Sequence, residues 1–248
     1  MIALLAATTM IGAAPVQAPS GGKIFSQMLA RYHQANSILG TVEFVQSAVG
    51  PGLNTKTTTL TTVQMKKPNL FYIEQLRDRG EDTHFVAVCD GKQMAYTSPK
   101  KWLIMGERQK YVYEPAPAEI NGGLDAFCTI ILDRSLPVGL ALYNRFEVNQ
   151  FVKRVKRVRI VGETAVDGVP AWRLRADYIY TVANPRTRLP EIVVAAYITI
   201  SKEYDLLGVS WEQIMVADKK QHKVTTVWKV RLQVDVPVDQ KLFVVPRG

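Results

Sequence analysis

Three histidines, His33, His84 and His222, and two cysteines, Cys89 and Cys128, are the side chains of this chain best suited to bind a metal or act as nucleophiles. Their spacing supports neither role. No histidine stands in an HxxxH or HExxH pattern, which would set two imidazoles on one helix face. There is no GxSxG elbow, phosphate-binding P-loop or CxxC pair. Cys128 sits in the apolar run Ala126-Phe127-Cys128-Thr129-Ile130, the setting of a packed thiol with an ordinary or raised pKa. No nucleophile, base and orienting group can be named together, so the chain reads as a non-enzyme without a metal site. The two cysteines leave one disulfide and two buried free thiols as equal alternatives.

Binding chemistry is better represented. The formal net charge is +9, which favours anionic partners. The densest cluster is Lys153-Arg154-Val155-Lys156-Arg157-Val158-Arg159, where interleaved valines suggest a helix end passing into an amphipathic strand. Anionic lipid headgroups or an acidic envelope protein fit this cluster better than nucleic acid, because no base-stacking motif accompanies it. Aromatic and aliphatic side chains line strand faces elsewhere. Trp172, Leu174, Ala176, Tyr178 and Tyr180 alternate with Arg173, Arg175 and Asp177; Leu207, Val209, Trp211 and Met215 share another face. Such stripes build an ordinary core or the wall of a slot for an acyl chain.

The elements that carry these faces follow from periodicity. Met1 to Ala18 lacks any charged residue, runs apolar from Ile2 to Ala14, and ends in a small-x-Ala pattern. It reads as a secretory signal peptide cleaved after Ala18, too short to span a bilayer. No other stretch is apolar enough to span, so a soluble periplasmic chain of one domain, residues 19–248, is expected. Lys23 to Leu39 has a helical apolar stripe with Gly40 as its stop. A strand containing Val42 and Phe44 comes next. The Gly50-Pro51-Gly52 turn leads to a threonine-rich strand ending at Lys66. Short strands then follow at Leu70 to Leu76, Thr83 to Cys89, Gln93 to Thr97 and Trp102 to Met105, separated by turn chemistry. Glu114 to Ala118 reads as a proline-stiffened connection. Leu124 to Leu132 and Pro137 to Phe151 read as helical, and strands resume at Lys156 to Glu163, Val169 to Tyr180, Glu191 to Ile200 and Leu207 to Val216. The last strand, Lys223 to Val236, turns Val224, Thr226, Trp228, Val230, Leu232, Val234 and Val236 to one side and polar residues to the other. The expected fold is α+β: a curved antiparallel half-barrel, or incomplete β-barrel, with helices covering its concave face.

Several segments resemble the LolA-like superfamily of periplasmic lipoprotein carriers. Gly40-Thr41-Val42-Glu43-Phe44-Val45-Gln46 matches its opening strand, and Lys67-Pro68-Asn69-Leu70-Phe71 matches its basic-Pro-Asn segment. Asp90-Gly91-Lys92 through Tyr96-Thr97-Ser98-Pro99 and the closing Phe243-Val244-Val245-Pro246-Arg247-Gly248 follow in the same order. Glu114 to Ala118 and Glu163 to Pro170 look more like an uncharacterised exported branch of that superfamily. The resemblance implies an apolar cavity beneath a helical lid and no cofactor; the chain is expected to bind lipid or lipoprotein acyl chains as a monomer. It gives Lys67, standing where the carriers have an arginine, the role of lid latch. Phe71, Ile73, Phe127, Ile131, Trp172, Leu174, Trp211 and Trp228 become the candidate cavity wall. A non-transporting envelope sensor or interaction protein, docking through the Lys153 to Arg159 cluster, is the alternative.

Overall fold

The computed structural model describes residues 19–78, 84–97, 111–124, 136–142, 150–181, 191–217 and 220–246. The expected signal segment, the strand at Trp102 to Met105, most of the first central helix, and Phe127, Cys128 and Ile131 lie outside these residues. The described strands form one antiparallel sheet of eleven, in the order β6-β5-β4-β3-β2-β1-β11-β10-β9-β8-β7. β1 (Ser37–Gly50), β2 (Leu53–Lys66), β3 (Leu70–Arg77), β4 (Phe85–Cys89), β5 (Gln93–Tyr96) and β6 (Val112–Pro115) make a meander on one side. On the other run β7 (Val155–Val166), β8 (Val169–Thr181), β9 (Ile192–Ser201), β10 (Leu206–Ala217) and β11 (Lys220–Val234). Pairing of β1 with β11, from Ile38 opposite Val234 to Val49 opposite Lys223, joins the halves. The sheet does not close, because β6 and β7 are edges.

One face of this sheet is buried. Along β11, His222, Val224, Thr226, Trp228, Val230 and Leu232 are buried while Lys223, Lys229, Arg231 and Gln233 are exposed, as the alternation predicts. Among the described residues, the helices on that face are short: α1 (Gly21–Gln34), a helical segment at 120–124, α2 (Leu136–Leu142) and α3 (Gln150–Arg154). The sheet curves, and its own inward side chains meet one another. Tyr178 on β8 stacks on Trp211 of β10 with ring centroids 5.1 Å apart, although these strands are separated by β9 and two strand spacings span roughly 10 Å. Trp211 in turn meets Trp228 at 4.5 Å, and Trp228 meets Phe44 at 5.3 Å. The architecture is the incomplete barrel with helices on its concave face.

Four details differ from the periodicity reading. Helix α1 ends at Gln34, five residues before Leu39, and Gly40 lies within β1 rather than stopping a helix. The cause is long-range: the Asn36 N–H donates to Asp235 Oδ1 at 2.7 Å, and the Ser37 carbonyl accepts from the Asp235 N–H at 2.9 Å. These partners satisfy the backbone of residues 36 and 37 better than another helical turn. Part of the expected proline-stiffened connection is strand β6, whose Pro115 is tolerated because the strand is an edge. A register shift between Leu206 and Gly208 turns Leu206, not Leu207, inward, and Met215 at the far end of β10 is exposed. The last strand begins at Lys220 and stops at Val234, where Asp235 takes a positive φ of 55°.

Candidate functional site

Helix α1 is the piece of the concave face that can form a site with the sheet. Ser20 caps it, its Oγ accepting from the Lys23 N–H at 3.3 Å, and Ile24, Phe25, Met28, Leu29 and Tyr32 form the buried stripe. Its N-terminus rests on β7: a Cβ on Gly21 would lie 2.7 Å from Arg159 Cα. Its other end is tied down in three places. Arg31 Nε donates to Asp205 Oδ1 at 2.7 Å. The Leu206 N–H donates to Tyr32 Oη at 3.0 Å, and burial raises the pKa of that phenol well above the ordinary tyrosine range. Lys67 Nζ donates to the His33 carbonyl at 2.6 Å.

The turn containing Lys67 also holds the second helical segment. Ile120 N–H donates to the Pro68 carbonyl at 3.1 Å, and Asn69 Nδ2 donates to the Pro117 carbonyl at 2.7 Å. Gly123 lets this segment lie against Phe71, since a Cβ there would fall 2.7 Å from its ring. Lys67-Pro68-Asn69 thus binds both α1 and the 120–124 segment to the sheet.

An apolar groove of about 420 Å³ opens beside α1, lined by Gly22, Phe25, Ser26, Leu29 and Ala30 on the helix and by Val152 and Val155 opposite. A bulge in β7 shapes its far wall. The register with β8 shifts between Lys156 and Arg159, and Arg157 adopts a φ of 49°. In a regular strand Val155 and Val158 would face opposite ways; here both pack against the core. Arg157 swings out and pairs with Asp177. The other cations of the cluster, Lys153, Arg154, Lys156 and Arg159, make no ion pair among the described residues, and neither does Lys23 on α1.

The sequence-nominated wall residues lie elsewhere. Phe71, Ile73, Leu174, Trp211 and Trp228 are buried in the core, with Trp228 only 1% exposed. Trp172 is partly buried beneath Lys202 Nζ, 4.3 Å from its ring centroid. Trp211 and Trp228 touch; Phe71 and Ile73 belong to the other half of the sheet. None of them lines the α1 groove. Three buried polar atoms of the concave face, Trp211 Nε1, Thr59 Oγ1 and His222 Nδ1, have no hydrogen-bond partner. Sequence reasoning missed the groove. Its signal was the amphipathic stripe of α1 together with the valines of the basic run, two features that only the fold brings together. Cys89 is a free, buried thiol, its pKa raised by that burial. Among the described residues no group of three or more His, Cys, Asp or Glu could hold a metal ion, and no described helix is long and apolar enough to cross a membrane.

A family model described as "Predicted periplasmic protein (DUF2092)" matches residues 21–197. The chain belongs to this family. The match runs from the first residue of α1 into β9, so it takes in both walls of the groove. No curated protein matches this DUF2092 chain. Among solved structures it is similar to LprF from Mycobacterium bovis, at 13% identity and a TM-score of 0.40, covering 88% of this chain and 97% of that one. It is similar to MucB at 15% identity and a TM-score of 0.40, covering 88% of this chain and 60% of MucB. A LolA superfamily protein from Nitrosomonas europaea matches at 9% identity and a TM-score of 0.31, over 92% and 99% of the two chains.

Proposed function

We propose that this DUF2092 protein is a periplasmic carrier-like binder that shelters an acyl chain against helix α1. The apolar groove between α1 and the α3–β7 junction is the observation that carries this reading. A volume of about 420 Å³ stands near the lower end of the range for small-molecule sites, ~300–1,000 Å³. That suits one chain better than several. Phe71, Ile73, Trp172, Leu174, Trp211 and Trp228 then act as the rigid floor on which the helices rest, and Lys67 as the latch that keeps α1 in place. Burying a methylene contributes about 0.8 kcal/mol, so ten carbons sheltered on one side gain roughly 4 kcal/mol, near-millimolar affinity. Weak retention suits a carrier, which must release its cargo.

Titrating delipidated protein with a fluorescent fatty acyl probe tests the reading. Saturable binding that is lost in Ser26→Trp supports it, because Ser26 is exposed and a tryptophan there fills the groove without disturbing the core. Equal binding by parent and Ser26→Trp, with loss in Trp228→Ala, moves the cargo to the interior. No binding by any variant rejects acyl carriage. A second reading, an envelope interaction protein without cargo, is favoured by Lys153, Arg154, Lys156 and Arg159, which make no ion pair among the described residues and lie on or next to the edge strand β7. Salt-sensitive capture of an acidic protein with no co-purifying lipid selects it.

A further inference from the structure

We infer that an extended, uncharged apolar segment of a partner protein docks in the seam between β9 and β10, pairing its main chain with the open edge of β10. The site is separate from the α1 groove, whose lining includes no residue of these strands. It exists because the sheet splits. β9 and β10 pair only from Leu206 opposite Ile200 to Ser210 opposite Tyr197. Past that row, residues 192–196 of β9 pair with β8 alone and residues 211–217 of β10 pair with β11 alone. Main-chain N–H and C=O groups alternate sides along a strand, so about half of those in each stretch face the seam. They have no partner among the described residues.

The side chains at the seam are as open as its main chain. Ile214 and Val216 are 61% and 69% exposed, and Met215, Ile192 and Val193 are exposed beside them. Alternation turns Met215 to the same face as buried Trp211, and Ile214 and Val216 to the other. The end of β10 is therefore apolar on both faces, unlike β11, whose outer face carries Lys223, Lys229, Arg231 and Gln233.

These features select the occupant. Open N–H and C=O groups need a hydrogen-bonding main chain, which neither an acyl chain nor a bilayer interior supplies. Apolar neighbours on both faces call for apolar side chains at successive positions, not only at alternate ones. Lys223 is already paired with Glu212 at 2.8 Å, so the segment gains little from a charge of its own. The β9–β10 pairing closes one end of the seam, so a single strand enters where the sheet edge of a second copy does not. Left uncovered, an apolar open edge is a template for aggregation.

The experiment uses the full chain, expressed for export, and a fluorescent valine-rich peptide of about eight residues with a lysine at each end, long enough to follow the open stretch of β10. A control peptide is N-methylated at every central residue, which deletes its main-chain donors and keeps its side chains. Saturable binding of the first peptide, at least about ten-fold tighter than that of the control, is expected. Hydrogen exchange should slow at the amides of residues 212–216 and stay unchanged in the edge strand β7. The double variant Ile214→Lys/Val216→Lys alters two exposed side chains only; it should weaken peptide binding about ten-fold or more and leave the unfolding midpoint and uptake of a fatty acyl probe as in the parent. Equal binding of the two peptides, protection confined to another element, or no peptide binding at all overturns the inference, and none of these touches the acyl reading. A dimer of the free chain that the double variant dissociates overturns it in favour of self-pairing. Binding to neutral phosphatidylcholine vesicles that the double variant abolishes, with no peptide bound, overturns it in favour of membrane contact.

Discussion

The Nζ of Lys67 donates to the main-chain carbonyl of His33 at 2.6 Å, fastening the turn after β2 to the last turn of α1. A helix C-terminus presents unpaired carbonyls and partial negative charge, so a compact ammonium suits it. A single carbonyl does not need arginine's planar fork, which accounts for lysine at this position. Lys67→Met removes a charge-assisted bond and should cost about 1–2 kcal/mol. At this chain length the melting temperature falls by about 2–4 °C per kcal/mol. Hydrogen exchange gives the sharper check: α1 amides should exchange faster in the variant than those of β11. Uniform protection in both elements would remove the latch role.

Gly40, the first residue of the carrier-like strand motif, has a φ of 149°, and a Cβ there would lie 1.9 Å from the Arg231 carbonyl oxygen. That oxygen belongs to the main chain and cannot move aside without breaking the β1–β11 pairing. Gly40→Ala should cost at least about 3 kcal/mol, the strain of a glycine-only conformation plus a backbone clash. Gly52, at a φ of 77° with nothing within 4 Å, is the control. Its alanine variant should cost only about 1 kcal/mol. Urea midpoints of the two variants measure the difference.

Trp228 is 1% exposed and touches Trp211 and Phe44. Trp228→Ala should cost about 3–5 kcal/mol through lost contact and cavity formation. Trp228→Phe should cost much less, and denaturant unfolding separates them. Binding measurements on Trp228→Ala therefore need a stability control.

Tyr32 and Tyr72 set an alkaline limit. Burial holds Tyr32 neutral far above its ordinary range. Burial, with a contribution from Glu74, pushes Tyr72 up to about 12. The ordinary value is 10.0, so above that pH the unfolded chain releases these protons while the folded chain keeps them. Stability from this source is complete below about pH 10 and lost as the pH rises toward the folded-state values. Tyr32→Phe should flatten the decline between pH 10 and 12 while lowering stability at pH 7, because the Leu206 N–H loses its acceptor. Unfolding followed at several pH values tests both effects.

Most strands were legible in the sequence because inward and outward positions alternate locally. The β11 stripe, the β8 aromatics and the Asp90-Gly91 and Asp167-Gly168 turns all fall where the pattern puts them. The N-terminal half of α1 was legible for the same reason. Its end was not, because Asp235, some two hundred residues away in sequence, decides where residues 36 and 37 find hydrogen-bond partners. The inward turn of Leu206 and the outward swing of Arg157 depend on bulges against β9 and β8, which alternation cannot show.

From its residues alone, this chain commits to an antiparallel sheet with one dry face, to helices that cover it, and to a surplus of positive charge. A stripe of apolar side chains reports burial but not whether a void remains beside it, since that depends on which other element packs against the stripe and how closely. Tertiary structure therefore made the remaining decisions. It buried Phe71, Ile73, Leu174, Trp211 and Trp228 in the core, and it brought Phe25 and Leu29 to face Val152 and Val155 across an open groove.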